Sequence, residues 1–107
     1  MSKKKILEKT VKERVKKLLR EYSCYWFMPV QSGYGSATLD ILGTHRGRFF
    51  AVETKAPGKH LSPRQELVAD EIRKAGGAVF IIGEEYYEEL NTFSGMELLE
   101  AWLLLER

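Results

Sequence analysis

The sequence has one cysteine and two histidines among its 107 residues, and these low counts exclude two classes of protein. The single thiol, Cys24, cannot form an internal disulfide, so a disulfide-stabilised secreted domain is excluded and a reducing, cytoplasmic location is expected. So few Cys and His residues form no zinc-binding cluster. No apolar run reaches the roughly 20 residues that span a bilayer. We therefore expect a single domain over residues 1–107 without a membrane span.

The charges are separated along the chain. Although the net charge is only +2, residues 1–20 hold nine Lys or Arg and two Glu, whereas residues 84–107 hold seven Glu and one Arg. A basic first helix can attract the phosphates of a nucleic acid. A solvated helix face has the same composition, so the charge pattern alone does not decide between these interpretations.

Apolar periodicity divides the chain into helices and strands. Apolar residues recur at helical spacing over 6–22, which predicts an amphipathic first helix with a lysine-rich outer face. β-Prone segments bounded by turn residues predict strands. The predicted strands are 25–30, 39–43, 48–55 and 78–82.

A capping motif predicts where the second helix begins. Ser62, Pro63 and Gln65 form a Ser-Pro-x-Gln capping box, and the helix that it begins is expected to end near Ala75, before two glycines. The strand after this helix is then expected to run parallel to strand 48–55, because a helical crossover joins parallel neighbours.

The C-terminal quarter is acidic and then strongly apolar. It predicts a short helix over 84–90 and a last helix that begins at a Ser94/Glu97 capping box and ends near Leu105. The resulting order, α-β-β-β-α-β-α, predicts an α/β fold with a mixed sheet flanked by helices. The last helix is apolar around most of its circumference, which a small domain cannot easily bury. We therefore expect a homodimer that uses this helix.

Two charged residues end the otherwise apolar strand 48–55. Because side chains alternate between the faces of a strand, Glu53 and Lys55 lie on the same face. Charged groups at the edge of a core are costly unless they are paired or liganded. A structural salt bridge would satisfy this requirement, and so would an active site.

Asp40 favours the active site. It stands within a predicted strand, where aspartate is disfavoured, and a hairpin through Thr44–Gly47 would bring it to the same end of the sheet as Glu53. Two carboxylates at one point suit Mg²⁺ or Mn²⁺, which can polarise a phosphodiester and lower the pKa of bound water. Lys55 beside them would orient the attacking water or stabilise the developing charge.

Further motifs stand in a fixed order around these three residues. They are Glu8 in the first helix, Gly33 and Gly35 before Asp40, Glu53-Thr54-Lys55, Leu61-Ser62-Pro63-Arg64-Gln65 and Gly76-Gly77. In this combination the chain resembles the stand-alone VRR-NUC domains of phages and bacteria, within the PD-(D/E)XK nuclease superfamily. It departs from that family in having no proline directly before Asp40, and in having Thr54 where an apolar residue is common.

The resemblance implies a restriction-endonuclease-like core and the activity of a metal-dependent DNA endonuclease. Stand-alone members of the family are dimers that act on branched DNA such as four-way junctions. It implies that Glu8 and the Thr54 carbonyl join Asp40 and Glu53 as metal ligands. It also implies that Gln65 reaches the active site, although the capping box alone explains this residue. Glu13 competes with Glu8 for the helix position, but the helical spacing aims Glu8 at the sheet.

Basic and glycine-containing segments supply candidate DNA contacts. Glycines allow the backbone to approach a ligand closely, and Tyr34 can stack on a sugar or base, although a plain solvated loop is the alternative. Lysine and arginine near the site or on the first helix can contact phosphates. The candidates are Lys3, Lys4, Lys5, Lys9, Ser32, Gly33, Tyr34, Gly35, Arg46, Lys59 and Arg64.

Two other functions are compatible with the sequence. One is a non-catalytic nucleic-acid-binding module of the same fold, and the other is a dimeric protein-interaction adaptor that uses the apolar C-terminal helix. The cluster of Asp40, Glu53 and Lys55 favours the enzyme, because an adaptor has no need to bring these groups together. His45, in a predicted turn, is expected on the surface. Trp26 and Trp102 are expected in the core or an interface rather than as base-stacking platforms.

Overall fold

The computed structural model describes residues 5–30 and 38–105. Within them it is a mixed α/β fold, as the sequence predicts, with three α-helices and six short strands. The helices are α1 (Glu8–Glu21), α2 (Pro63–Lys74) and α3 (Met96–Leu104). The strands are β1 (Tyr25–Phe27), β2 (Ile41–His45), β3 (Arg48–Thr54), β4 (Ala78–Ile82), β5 (Tyr86–Tyr87) and β6 (Thr92–Phe93), and a 3₁₀ turn (Glu88–Leu90) joins the last two.

Four strands form a mixed sheet in the order β1-β2-β3-β4. Both β1 and β3 run antiparallel to β2, whereas β4 runs parallel to β3. The predicted βαβ crossover through α2 is therefore confirmed. Since β3 lies inside the sheet, its backbone is paired on both sides, and its side chains from Phe50 to Thr54 are buried.

Helices cover both faces of the sheet. On one face the larger core joins α1 and α3 to β2, β3 and β4, with Val15, Phe50 and Leu103 fully buried. On the other face α2 packs through Ala69 against Leu39 and Ala51. No helix in the described part of the chain is long and apolar enough to cross a membrane.

The β2–β3 turn anchors the C-terminal end of α3. The ring Nε2 of His45 lies 3.0 Å from the Leu103 carbonyl oxygen, and Arg48 donates to the Trp102 carbonyl at 3.1 Å while its guanidinium stacks on the Trp102 ring at 4.3 Å. The last carbonyls of a helix lack helical partners and attract cations. The surface position expected for His45 is therefore wrong, because this residue is only 8% exposed.

The start of β2 differs from the prediction in a way that matters for the site. β2 covers Ile41–His45 rather than 39–43, since the turn is confined to Arg46 and Gly47, both with positive φ. Asp40 therefore precedes the strand instead of lying inside it. Because Asp40 lies outside the ladder, its backbone N–H is free to donate to a side chain instead of to a strand partner.

The segment before α3 is also not the short helix predicted for 84–90. It forms the β5–β6 hairpin, in which the rings of Tyr86 and Phe93 lie 5.2 Å apart. This packing outweighs the helical preference of the glutamates. Ser94 accepts a hydrogen bond from the Glu85 N–H at 2.9 Å, and Gly95 is the residue before α3, so the second predicted capping box is wrong.

Gly83 lies where β4 leaves the sheet and packs against the segment that carries the site. Its φ is +108°, and a Cβ added there would collide with the Lys55 backbone carbonyl and lie 2.8 Å from the Val11 side chain. Gly76, at the end of α2, also has a positive φ (+96°), but a Cβ there would meet nothing within 4 Å.

The two glycines permit a matched test of this close approach. Gly76→Ala should cost about 1 kcal/mol of unfolding free energy, the usual penalty of a left-handed conformation. Gly83→Ala should cost about 3 kcal/mol or more, because a backbone collision adds to that penalty. Urea unfolding measures both values. Equal losses in the two variants would contradict the tight packing of Gly83 on Lys55.

Candidate functional site

The predicted Asp40, Glu53 and Lys55 come together at the end of β3. The β2–β3 register, with Ile41 opposite Val52, sets Asp40 beside Glu53. The Asp40 N–H donates to Glu53 Oε1 at 3.1 Å, and the Glu53 side chain is only 3% exposed. The hairpin geometry expected from the sequence is therefore present, with Asp40 placed one residue outside the strand.

Thr54 holds the Asp40 carboxylate in place. Asp40 Oδ2 accepts the Thr54 backbone N–H at 3.0 Å and the Thr54 hydroxyl at 2.8 Å. Thr54 itself is fully buried. The Thr54 side chain therefore positions Asp40, a role separate from that of the backbone carbonyl, which the family resemblance implies as a metal ligand. A polar residue after Glu53 was the signal that could have revealed it.

Gln65 joins the start of α2 to the site. Its Nε2 donates to Glu53 Oε2 at 2.9 Å, and its Oε1 accepts from Lys55 Nζ at 2.8 Å. The same Oε1 accepts the Ser62 N–H at 3.0 Å, while Ser62 Oγ accepts the Gln65 N–H, which completes the predicted capping box. The capping role and the site role of Gln65, which the sequence left as alternatives, are therefore both present.

The electrostatics of the site centre on Glu53. Burial and then the neighbouring Asp40 carboxylate raise the pKa of Glu53 from its ordinary value of 4.5 to about 7. The Lys55 ammonium, 3.5 Å from Glu53 Oε2, opposes this rise without cancelling it. Negative charge at this point is therefore only partly compensated by the residues around it.

The two candidate glutamates of α1 lie in different surroundings. Glu8 pairs with Lys12 at 3.7 Å, and the same Lys12 ammonium lies 4.0 Å from Asp40 Oδ2. Glu13 instead pairs with Lys16 at 2.9 Å. The side of α1 that carries Glu8 therefore adjoins the site. The α1 side chain that reaches Asp40, however, is Lys12, a residue not predicted from the sequence.

The helical spacing contained the signal for Lys12. It lies one turn after Glu8 and directly follows the buried Val11. Such a residue on the flank of a buried helix face can extend its ammonium along the core edge toward the sheet.

The predicted phosphate contacts are dispersed. Lys5, Lys9, Lys59 and Arg64 are exposed, and Arg64 directly precedes Gln65 in the first turn of α2. Arg46 lies in the β2–β3 turn, at the opposite end of the hairpin from Asp40, and donates to the Leu105 carbonyl at 3.1 Å. Lys3, Lys4, Ser32, Gly33, Tyr34 and Gly35 lie outside the described residues.

Residues 5–30 and 38–105 contain no group of three or more His, Cys, Asp or Glu side chains arranged to hold a metal ion. The structure thus brings Asp40 and Glu53 together but does not add Glu8 to form a three-carboxylate cluster. Comparison with known protein families finds none that matches this chain, and a search among curated proteins finds no match.

The raised pKa of Glu53 makes the stability of the metal-free protein depend on pH. The folded state binds the Glu53 proton more tightly than the unfolded state, and this difference adds to the free energy of unfolding. The added stability is fully present below pH 4.5 and is lost as the pH rises through about 7. In EDTA, the unfolding free energy of the wild type should therefore fall between pH 4.5 and about 7. In Glu53→Gln this fall should be smaller by on the order of 2 kcal/mol.

Urea unfolding at several pH values measures this decline, whatever the effect of the substitution on absolute stability. Glu66→Gln, at an exposed position in the first turn of α2, is the matched control and should keep the wild-type slope. A Glu53→Gln slope equal to that of the wild type would show that Glu53 is not the buried, repelled carboxylate described above.

Proposed function

We propose that the protein is a divalent-metal-dependent DNA endonuclease with a restriction-endonuclease-like core. The observation that carries the proposal is the buried Glu53 carboxylate beside Asp40, bound by Gln65 and Lys55 at the end of the sheet. A carboxylate buried in a structural salt bridge is normally neutralised by its partner. Here the pKa of Glu53 stays high despite Lys55, so the site retains a capacity for further positive charge.

The chemistry of the donors fits Mg²⁺ or Mn²⁺. Mg²⁺ is commonly bound through one or two carboxylates and several waters, so Asp40 and Glu53, with the Thr54 backbone carbonyl, would be sufficient to hold it. Glu8 would contribute only if Lys12 released it, since the two are paired in this structure. Bound there, the ion would polarise the phosphodiester and lower the pKa of a bound water.

The other side chains have positioning tasks. Lys55, with 14% of its side chain exposed, would orient the attacking water or stabilise the charge that develops on the phosphate. Gln65 fixes Lys55 through its Oε1 and Glu53 through its Nε2. Because Gln65 is itself fixed by the helix cap, these two groups keep their separation when substrate arrives. Lys59 and Arg64, exposed on the loop and helix that follow β3, would contact DNA phosphates.

Cleavage of labelled four-way junction, flap and duplex DNA in Mg²⁺, Mn²⁺ or EDTA tests the proposal. The wild type should cleave at least one of these substrates in metal and none in EDTA. Asp40→Asn, which keeps the size of the side chain, should lose at least about 100-fold in rate. Asp70→Asn, an exposed aspartate paired with Arg73 on α2, is the matched control and should cleave like the wild type.

The alternatives predict different outcomes of the same experiment. Cleavage in EDTA, or by Asp40→Asn at the wild-type rate, would overturn the mechanism. DNA binding without cleavage and without need of metal would identify a non-catalytic module of this fold. A chain with no salt-dependent DNA affinity would identify the protein-interaction adaptor instead.

A homodimer formed through α3 is part of the proposal. The helix buries Leu99 and Leu103 within its own chain. It leaves Leu98, Leu104 and Leu105 exposed by 70%, 59% and 53%, respectively. Covering these leucines with the same surface of a second copy would give two active sites for paired cuts in a junction.

Sedimentation should give twice the 12.3 kDa mass of the chain. A protein concentration of tens of micromolar is suitable, because it exceeds a dimer dissociation constant of about 1 μM. Leu98→Glu should dissociate the dimer, because it sets a charge in the proposed interface. Leu67→Glu is the matched control, since Leu67 is 64% exposed on α2, away from this helix. A monomeric wild type, or equal effects of both variants, would contradict the α3 dimer.

A further inference from the structure

Lys12 connects α1 to the carboxylates of the site. It follows the fully buried Val11 on the helix, so its side chain leaves from the flank of the core and is only 25% exposed. Its Nζ lies 3.7 Å from Glu8 Oε2 and 4.0 Å from Asp40 Oδ2. One ammonium group thus bridges the helix carboxylate and the aspartate of the site.

The bridging position is specific to this lysine. Lys16, one turn later on the same helix and also 25% exposed, pairs with Glu13 of α1 at 2.9 Å. Among the ion pairs of the described residues, that between Lys12 and Asp40 is the one that links α1 to the end of the sheet. An ordinary solvated helix face would favour pairs within the helix, like that of Lys16.

A metal ion bound at Asp40 would lie close enough to Lys12 for the two positive charges to repel each other. An ion bound to Asp40 would lie about 2.0–2.6 Å from its carboxylate oxygens, within a few ångströms of the present Nζ position. A dication and an ammonium at about 4 Å repel each other enough to weaken binding by at least about tenfold even with full water screening, and by more at a partly buried position. Both charges cannot stay beside Asp40 without a large loss of affinity.

We propose that Lys12 is a built-in counter-ion of the site, which a divalent cation must displace from Asp40 before it binds. Lys12 lowers the repulsion between Glu8 and Asp40 while no metal is present and thereby weakens the affinity of the site for metal. This inference rests on the proposed metal centre. Lys12 would thus act on the metal through Asp40. Removing its charge should raise the affinity of the site for metal, whereas removing a ligand should lower it.

Binding of Mn²⁺, followed by the loss of the electron paramagnetic resonance signal of the free ion, tests this without measuring cleavage. Lys12→Met keeps the length of the side chain and removes its charge, so it should bind Mn²⁺ about tenfold more tightly than the wild type. Lys12→Arg should bind like the wild type. Lys16→Met, with the same exposure and an ion pair away from Asp40, should also bind like the wild type.

A side chain that merely supported the packing of α1 would not tighten metal binding when it is replaced. Lys12→Gln provides a second neutral variant if circular dichroism shows that Lys12→Met does not fold. Unchanged or weaker Mn²⁺ binding by a folded neutral variant overturns the inference.

Asp40→Asn separates the inference from the proposed function. If Asp40→Asn abolishes Mn²⁺ binding but the neutral Lys12 variants leave it unchanged, the counter-ion role is overturned and the metal centre is kept. Absence of Mn²⁺ binding in every folded variant overturns the metal centre and, with it, the role of Lys12.

Discussion

A carboxylate that is almost removed from water must have its oxygens bound, and at Glu53 this requirement organises one end of the molecule. Its partners come from three segments: the residue before β2, the residue after β3 and the first turn of α2. Burial of a charge is costly unless such groups converge on it. This end of the sheet is therefore stable only when the first turn of α2 packs against the open end of the β2–β3 hairpin. The same packing brings the candidate catalytic groups together.

The two ends of the β2–β3 hairpin are used differently. At the turn, His45, Arg46 and Arg48 bind the last carbonyls of α3 and attach the C-terminal helix to the sheet. At the open end, Asp40 and Glu53 lie side by side and repel each other. The first arrangement stabilises the fold, whereas the second costs stability and is typical of a functional site. Arg46, a candidate for DNA contact on sequence grounds, thus belongs to the stabilising end.

Periodicity and capping were sufficient to predict most of the fold. The first helix, β3, the Ser62 capping box and the parallel β4 all follow from local patterns that agree with the tertiary structure. The errors fall where tertiary contacts outweigh local preference: Tyr86 on Phe93 replaces a helix by a hairpin, and the α3 carbonyls draw His45 into the core. At the site, the convergence of Asp40, Glu53 and Lys55 was predicted from their spacing, and the place of Gln65 from the family resemblance. The roles of Lys12 and the Thr54 hydroxyl were not predicted. Local patterns place these residues at the edge of the core, but their shared partner, Asp40, lies on another element.

The single carbonyl oxygen of Gln65 accepts both the backbone of Ser62, which starts α2, and the ammonium of Lys55. The start of α2 and the position of Lys55 are consequently linked through this one oxygen. A chain in which α2 has not formed lacks the Gln65 contact to Lys55, even if its hairpin is complete. Under the proposed function, DNA cleavage would therefore begin only after α2 has formed and packed against the hairpin.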